Sequence, residues 1–256
     1  MNLKNKCEYK DFMTKDKILA YIPARAGSKR IPNKNIKDFL GKPLISYAIE
    51  QAQSCDFIDR VMVDTDSPEI AKIAKKFGAK VPWLRPKKLA GDKAKVIDSI
   101  LYNLRRLKEQ ENYEPDYVMI LQATSPLREK KDIEDCWQMM QKTKASTILT
   151  VCSTHPRFYH LGAGNRLILI NGSEKKSTNI QAWQPGYVLN GCFVYIIKTS
   201  TLLKEKVVIT KNTKAVICPR WRSVDLDALD DWALAEYLYK NKESIMKRIG
   251  QLYGNK

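Results

Sequence analysis

The sequence predicts an α/β domain built on a mostly parallel sheet, and three patterns carry that expectation. Short strand-like runs recur at Ile18–Pro23, Arg60-Val-Met-Val-Asp-Thr-Asp66, Tyr117-Val-Met-Ile-Leu121 and Thr147–Val151. The uncharged Ile18–Pro23 reads as a strand buried on both faces, Tyr117–Leu121 as the most clearly buried, and Arg60–Asp66 ends in acidic residues. Stretches with helical spacing separate them, so strand and helix alternate as in βαβ units. Polar and charged residues then cluster just after the first three runs. That is where ligands bind in such sheets, beyond the carboxyl ends of the strands.

In chain order, residues 1–17 are polar and aperiodic and read as a flexible N-terminal extension. Ile18 to Pro23 opens the domain as a buried strand. It breaks into a loop holding Arg25, Gly27, Ser28, Lys29, Arg30, Lys34 and Asn35. Gly41-Lys-Pro43 marks a turn, after which Leu44, Ile45, Ala48, Ile49 and Ala52 fall at helical spacing. Behind the Arg60–Asp66 strand, Ser67 can cap a helix whose first turn holds Pro68 and Glu69 and whose end is marked by Phe77-Gly78. A third strand is expected over Ala79–Leu84, leading to Arg85-Pro86, and a helix from about Lys95 to Gln110. The Tyr117–Leu121 strand opens into Gln122-Ala-Thr-Ser-Pro-Leu-Arg128, and a helix through Asp132 to Lys142 precedes the Thr147–Val151 strand.

Beyond Val151 the pattern changes. Residues 155–187 are rich in Gly, Asn, Ser and aromatics, with apolar residues around Arg166–Ile170 and a turn signal at Asn171-Gly172. This reads as a β-hairpin excursion. An apolar hairpin leaving an α/β core either meets a partner surface, as in a dimer, or folds over its own domain as a lid. Asn190–Ile197 and Ala215–Cys218 read as returning strands, and Leu229–Ile249 as a closing helix.

Bulk properties narrow the function. The 256 residues are 44% hydrophobic, enough for one domain with a sizeable core. No apolar run approaches the ~20 residues of a membrane span, and the start lacks the layout of a signal peptide. A cytoplasmic protein without membrane partners is expected. Cys7, Cys55, Cys136, Cys152, Cys192 and Cys218 are scattered without a CxxC pair, which favours free thiols. The formal charge of +17 permits polyanion partners. Lysines are nevertheless spread along every segment, and no RRM, zinc-finger or homeodomain pattern accompanies them, so no specific nucleic-acid partner is expected.

Two constellations carry chemistry. In the opening loop, cations neutralise charge, Gly27 lets the backbone approach closely, and free N–H groups can point at phosphate oxygens. Read alone, it is equally a solvated basic turn. In Ser223-Val-Asp-Leu-Asp227, residues i and i+2 of an extended segment would share a side. Asp225 and Asp227 would then suit Mg²⁺, which prefers oxygen ligands and keeps several waters. The other reading makes Asp227 or Asp230 a cap for the closing helix. Arg85 can read a base or phosphate or pair with an acid. Gln122 can bond sugar hydroxyls or backbone. Arg128 is expected to cap local structure or pair with Asp132. No Ser-His-Asp or Cys-His set is visible, and phosphoryl-type chemistry needs none, because positioning and charge neutralisation supply most of the catalysis.

Taken in order, Ile22-Pro-Ala-Arg-Ala-Gly-Ser-Lys-Arg-Ile-Pro-Asn-Lys-Asn-Ile36, Arg85-Pro86, Leu121 to Arg128, Asn190-Gly191 and Ser223 to Asp227 resemble the acylneuraminate cytidylyltransferases and their relatives acting on legionaminic or pseudaminic acids. The resemblance runs from Ile18 to the last helix. It implies a Rossmann-like three-layer nucleotidyltransferase fold in one domain over 18–256, with 155–190 as a projecting dimerisation and sugar-site arm of a homodimer. The implied activity is Mg²⁺-dependent transfer of CMP from CTP to a nonulosonic (sialic-acid-like) sugar. By matching positions, Arg25, Ser28, Lys29 and Asn35 would hold the nucleotide, with Lys34 and Arg25 catalytic. Arg85 would approach the cytosine, Gln122 the ribose and the sugar, and Asp225 and Asp227 would hold Mg²⁺. Arg157, Asn190 and Tyr195 would complete the sugar site. Two departures stand out. Val96 occupies the place of a family serine, with Lys93 or Lys95 as candidate replacements. Asn179-Ile-Gln181 lacks the two arginines of the family's Arg-Arg-Gln element, which leaves Arg157 to substitute. Both weaken the case for N-acetylneuraminate itself and leave a different nonulosonic acid open. A CMP-Kdo-type or other sugar nucleotidyltransferase and a noncatalytic nucleotide- or RNA-binding α/β protein are the competing readings.

Overall fold

The computed structural model describes residues 16–170, 184–191 and 193–253. Their strands are Ile18–Pro23 (β1), Asp38–Phe39 (β2), Lys42–Pro43 (β3), Arg60–Asp64 (β4), Tyr117–Ile120 (β5), Thr147–Thr154 (β6), Tyr159–Leu161 (β7), Leu167–Leu169 (β8), Gly186–Leu189 (β9), Tyr195–Lys198 (β10) and Thr213–Ile217 (β11). The helices are Leu44–Gln53 (α1), Pro68–Lys76 (α2), Val96–Glu111 (α3), Lys130–Lys142 (α4), Thr199–Glu205 (α5), Leu229–Lys240 (α6) and Lys242–Tyr253 (α7).

The main sheet runs β11-β6-β10-β5-β1-β4, with β9 on the other part of β6. Strands β4, β1 and β5 are mutually parallel, as are β6 and β11, while β10 and β9 run against them. The result is the mostly parallel α/β sheet expected. Its two faces are covered by different helices, which makes three layers. Ile18, Ala20 and Ile22 of β1 pack with Ile45, Ile49, Ile70, Ile133 and Trp137 from α1, α2 and α4. Leu19 and Tyr21 turn the other way, toward Ile100, Leu104 and Leu107 of α3 and Leu202 of α5. A period of two along β1 thus feeds both interiors, which is why the run contains no charge. At the carboxyl edge, Ile31, Phe39, Leu44, Leu127, Leu226 and Trp232 form a third cluster that ties the opening loop to the segment before α6.

Local signals act where expected at α2. The Ser67 side chain accepts from the Ile70 N–H at 3.2 Å, Pro68 starts the helix, and Gly78 follows it with φ +86°. Elsewhere the structure corrects the sequence. Ala79–Leu84 forms only an isolated bridge, Met62 to Lys80. Pro82 and Pro86 cannot donate to a ladder, so the pairing stops there. The closing helix is two helices, broken at Asn241, whose side chain donates to the Tyr237 carbonyl at 2.8 Å. The apolar hairpin exists as β7 paired with β8, closed through Gly164 and Asn165 at φ +65° and +60°. The turn expected at Asn171-Gly172, the Asn179–Gln181 element and residues 1–15 lie outside the described residues. The last part of the expected arm, β9, belongs to the central sheet. Among the described residues no helix is long and apolar enough to cross a membrane, and Cys55, Cys136, Cys152 and Cys218 are free and buried.

Candidate active site

The carboxyl ends of β1 and β5 open onto a cleft of about 460 Å³. Arg25, Ser28, Lys29, Arg30, Lys34 and Asn35 line it from the loop after β1, Gln122 and Thr124 from the loop after β5, and Arg85, Val96 and Asp227 close it. The loop keeps its shape through its own backbone and two neighbours. The Ala24 N–H donates to the Asp64 carbonyl at 2.9 Å, and the Ala26 N–H donates to Asp66 Oδ1 at 2.9 Å. Asn35 is buried, with Nδ2 donating to the Arg25 carbonyl at 3.0 Å. Asn33 takes φ +53° to start the single 3₁₀ turn that carries Lys34, a conformation that asparagine tolerates better than most residues.

Lys34 is only 14% exposed, and Nζ reaches the Leu226 carbonyl at 2.6 Å and Asp227 Oδ1 at 3.2 Å. Arg30 Nη1 is 3.2 Å from Asp227 Oδ2. Arg30 therefore joins Lys34 at the Asp227 carboxylate and lines the cleft. On the opposite rim Asp92 pairs with Lys29 at 2.5 Å and with Arg25 at 3.2 Å. The Lys29 ammonium, with Arg25 adding to it, holds the Asp92 carboxyl below the usual range. The loop after β1 thus supplies four cations to the cleft, and Asp92 and Asp227 neutralise part of their charge.

The acidic pair is not an extended strand. The Asp227 N–H donates to the Asp225 carbonyl at 2.9 Å, a tight turn, so the i and i+2 argument does not describe this segment. The helix cap is also elsewhere: Asp231 accepts from the N–H groups of Asp227 at 3.0 Å and Ala228 at 2.7 Å. Neither Asp227 nor Asp230 is needed as a cap, which leaves the Asp227 carboxylate facing the cleft. Asp225 is half-buried beneath it. Burial raises its pKa against a hydrogen bond from Thr124 and the Lys34 charge, and Asp227 raises it further. Its Oδ1 is buried without a hydrogen-bond partner. That orphan oxygen beside a second carboxylate is a donor set fitting a hard divalent cation that fills its other positions with water and phosphate oxygens. No group of three or more candidate ligands occurs among the described residues.

Gly191 explains why Asp225 can sit there. Its φ is +69°, and a Cβ at that position would lie 2.5 Å from the Asp225 Cβ. Ser125 Oγ donates to the Gly191 carbonyl at 2.8 Å, fixing this close approach from the β5 loop. Asn190 is buried, donates to Ser223 Oγ at 3.2 Å and braces the same segment.

Not every expected residue reaches the cleft. Asp64 and Asp66 support the loop behind it. Lys93, Lys95, Arg157, Asn190 and Tyr195 are not among the cleft-lining residues. Tyr195 shares its sheet face with Ile197 and packs against the α3 side of the interior, so alternation along β10 turns its ring away. Arg128 does not pair with Asp132; it is buried and donates to Gln51 Oε1 and to the carbonyls of Gln122 and Phe193. Arg222 takes Asp132 instead, in a buried two-point pair. Sequence reasoning assigns no role to Thr124, Gly191 or Asp92, although Thr124 lies within Leu121–Arg128, two residues after Gln122, and Gly191 belongs to the Asn190-Gly191 element. Asp92 carried no local signal.

Residues 19–165 match the cytidylyltransferase family. The pseudaminic acid cytidylyltransferase of Campylobacter jejuni is 34% identical over 232 residues, covering 89% of this chain and 99% of that one. The CMP-N,N'-diacetyllegionaminic acid synthase of Legionella pneumophila is 34% identical over 239 residues, covering 90% and 100%. Among solved structures, a CMP-2-keto-3-deoxy-manno-octonic acid synthetase complexed with CTP superposes with a TM-score of 0.66 at 17% identity, covering 89% of this chain and all of that one, a likeness of fold. With the family match covering more than half of the chain and these relatives covering most of it, the protein is a nucleotidyltransferase that belongs to the cytidylyltransferase family.

Proposed function

We propose that the protein transfers CMP from CTP to a nonulosonic acid, releasing pyrophosphate, with Mg²⁺ and as a homodimer. The observation that carries the reading is the cleft itself: Arg25, Lys29, Arg30 and Lys34 face Asp227, with the orphan Asp225 oxygen beneath it. A cationic cleft alone would fit any polyanion; a cationic cleft with two carboxylates set into it fits a metal-bound triphosphate. The reaction is attack of the sugar's anomeric hydroxyl on the α-phosphorus with loss of pyrophosphate. Arg25, Ser28, Lys29 and Asn35 form the side that holds the nucleotide phosphates. Lys34, the least exposed of these cations in contact with Asp227, neutralises charge that grows on the α-phosphate in the transition state. Arg85 and Val96 close the end that would take the base. Gln122 lines the cleft where ribose and sugar would meet. Asp225 and Asp227 would hold Mg²⁺, which when bound supplies charge neutralisation at the phosphates and orients them.

The exposed apolar residues of the hairpin, Leu161, Leu167 and Ile170, favour a second copy of the chain as their cover. Arg157, at its base, is the candidate for the sugar carboxylate. Free buried thiols fit a reducing, cytoplasmic setting. The test is pyrophosphate release with CTP and Mg²⁺ across pseudaminic, legionaminic and neuraminic acids and Kdo. Turnover with a nonulosonic acid is expected. Turnover with Kdo alone would reassign the sugar, and no turnover together with salt-sensitive RNA binding would overturn the enzyme reading.

A further inference from the structure

Behind Arg85 lies a polar network that the cleft does not touch. Asp64 ends β4 with its carboxylate fully buried. It accepts hydrogen bonds on Oδ2 from Tyr21 Oη of β1 and from Ser99 Oγ of α3 at 2.6 Å, and the same oxygen forms an ion pair with Arg85 Nη2 at 2.7 Å. Arg85 Nη2 also donates to the Asp64 carbonyl at 2.9 Å. Asn103 Nδ2 donates to Tyr21 Oη at 3.1 Å and accepts at Oδ1 from Trp83 Nε1 at 2.6 Å. Burial and the Asp64 charge raise the Tyr21 pKa, so its hydroxyl remains a donor.

A buried carboxylate is costly unless it is paired and hydrogen-bonded, and networks of this kind fix one arrangement of the groups they join. Here the groups come from β1, β4, the Arg85 turn and α3, which also supply Pro23, Arg85 and Val96 to one end of the cleft. The side-chain polar contacts of Arg85 among the described residues all run through Nη2. Its Nε is buried without a partner, and so is Asp64 Oδ1. The pair is thus held at one point only and not as a closed two-point fork. Nη1, which is neither bonded in this network nor buried, is the nitrogen left to the cleft.

We propose that Asp64 is a positioning residue for nucleotide selection, fixing the Arg85 guanidinium so that its remaining N–H groups meet the acceptor edge of a cytosine. This rests on the cytidylyl-transfer reading above. The chemistry supplies the discrimination. Cytosine presents acceptors at O2 and N3, whereas uracil carries a proton on N3 that would face the donors of a fixed guanidinium. A site whose buried donors require acceptors rejects a ligand that offers a donor instead. If the guanidinium is free to rotate away, that penalty shrinks.

The experiment compares kcat/KM for CTP and UTP in the wild type and in Asp64→Asn, Arg85→Met, the double variant and Ser99→Ala, with thermal melts on each. Asp64→Asn is expected to lower the CTP-over-UTP ratio about tenfold, through KM for CTP more than kcat. The double variant is expected to be no less selective than Arg85→Met alone, because both changes act through one group. Loss of folded protein would lower both nucleotides equally and leave the ratio unmoved. An Asp64→Asn enzyme that folds and keeps the wild-type ratio overturns the proposal. So do effects of Asp64→Asn and Arg85→Met that add. Should Asp64→Asn fail to fold, Ser99→Ala decides: a fall of about threefold in the ratio supports positioning, and an unchanged ratio overturns it. A wild type that uses neither nucleotide with any sugar acid would strike the underlying function, a different result from a CTP-selective wild type matched by its Asp64→Asn variant.

Discussion

Lys34→Met isolates the charge at the centre of the site while keeping most of the side-chain volume. The structure gives two separate consequences. In the resting protein Lys34 Nζ satisfies the Leu226 carbonyl at 2.6 Å in a part-buried position, and contacts an Asp227 carboxylate whose side chain is 55% exposed. A charged hydrogen bond in such surroundings contributes about 1.5–3 kcal/mol. The exposed ion pair adds only ~0–1 kcal/mol, and Asp227 keeps Arg30 in any case. A loss of about 2 kcal/mol follows, which for a chain of this size lowers Tm by roughly 4–8 °C. In the reaction, removal of a preorganised positive charge beside the α-phosphate costs about 10²–10³ in kcat. Thermal melts read the first number, and pyrophosphate release at varied CTP reads the second. A kcat within threefold of wild type, with the whole effect in KM for CTP, would refute the transition-state role. A kcat loss with no change in Tm would refute the claim that Lys34 tethers the acidic segment.

Asp227→Asn is expected to abolish turnover while calorimetry still detects weak CTP binding; wild-type rates would show that the carboxylate is not part of a metal site. Gly191→Ala forces a side chain into φ +69° against Asp225 and should lower stability by roughly 1–2 kcal/mol, with a fall in kcat as Asp225 is displaced; an unchanged melt and rate would contradict the close approach. Asp92→Asn frees Arg25 and Lys29 and should lower KM for CTP at low salt, an effect that fades as salt rises; a higher KM would mean that Asp92 helps the nucleotide. Burial pushes the Cys218 thiol from an ordinary 9.0 up to about 12. The native state then binds the proton more tightly than the unfolded chain, so stability falls as pH rises above about 9, and a Cys218→Ala variant measured between pH 7 and 10.5 should show a shallower decline.

Much of the fold was legible in short-range pattern. Strands β1, β5 and β6 announce themselves because they are largely buried and hold no charge, β4 by its Val-Met-Val centre, and α2 because its cap, proline and glycine act within a few residues. The Ala79–Leu84 run failed as a strand because prolines remove ladder donors, a fact present in the sequence but outweighed by its apolar composition. The cationic loop reads as a phosphate cradle only beside its partners. Asp227 meets that loop through Lys34 and Arg30, presented by a tight turn and the Asp231 cap rather than by the extended alternation the sequence suggests.

The sequence by itself determined the class of the domain, the order of its layers along the chain, and the family motifs, since these depend on periodicity and on residue identity at close spacing. Tertiary structure alone decided which charges meet. Arg85 finds Asp64 across 21 positions, Lys34 finds Asp227 across 193, and Arg222 takes Asp132, one of the partners the sequence offers Arg128. Such pairings depend on how strands line up in the sheet and on which side chains share a dry interior, where leaving a charge unpaired is costly. No local pattern records that neighbourhood. It exists only once β10 has slipped between β5 and β6, and Gly191 has let the acidic segment close over the cleft.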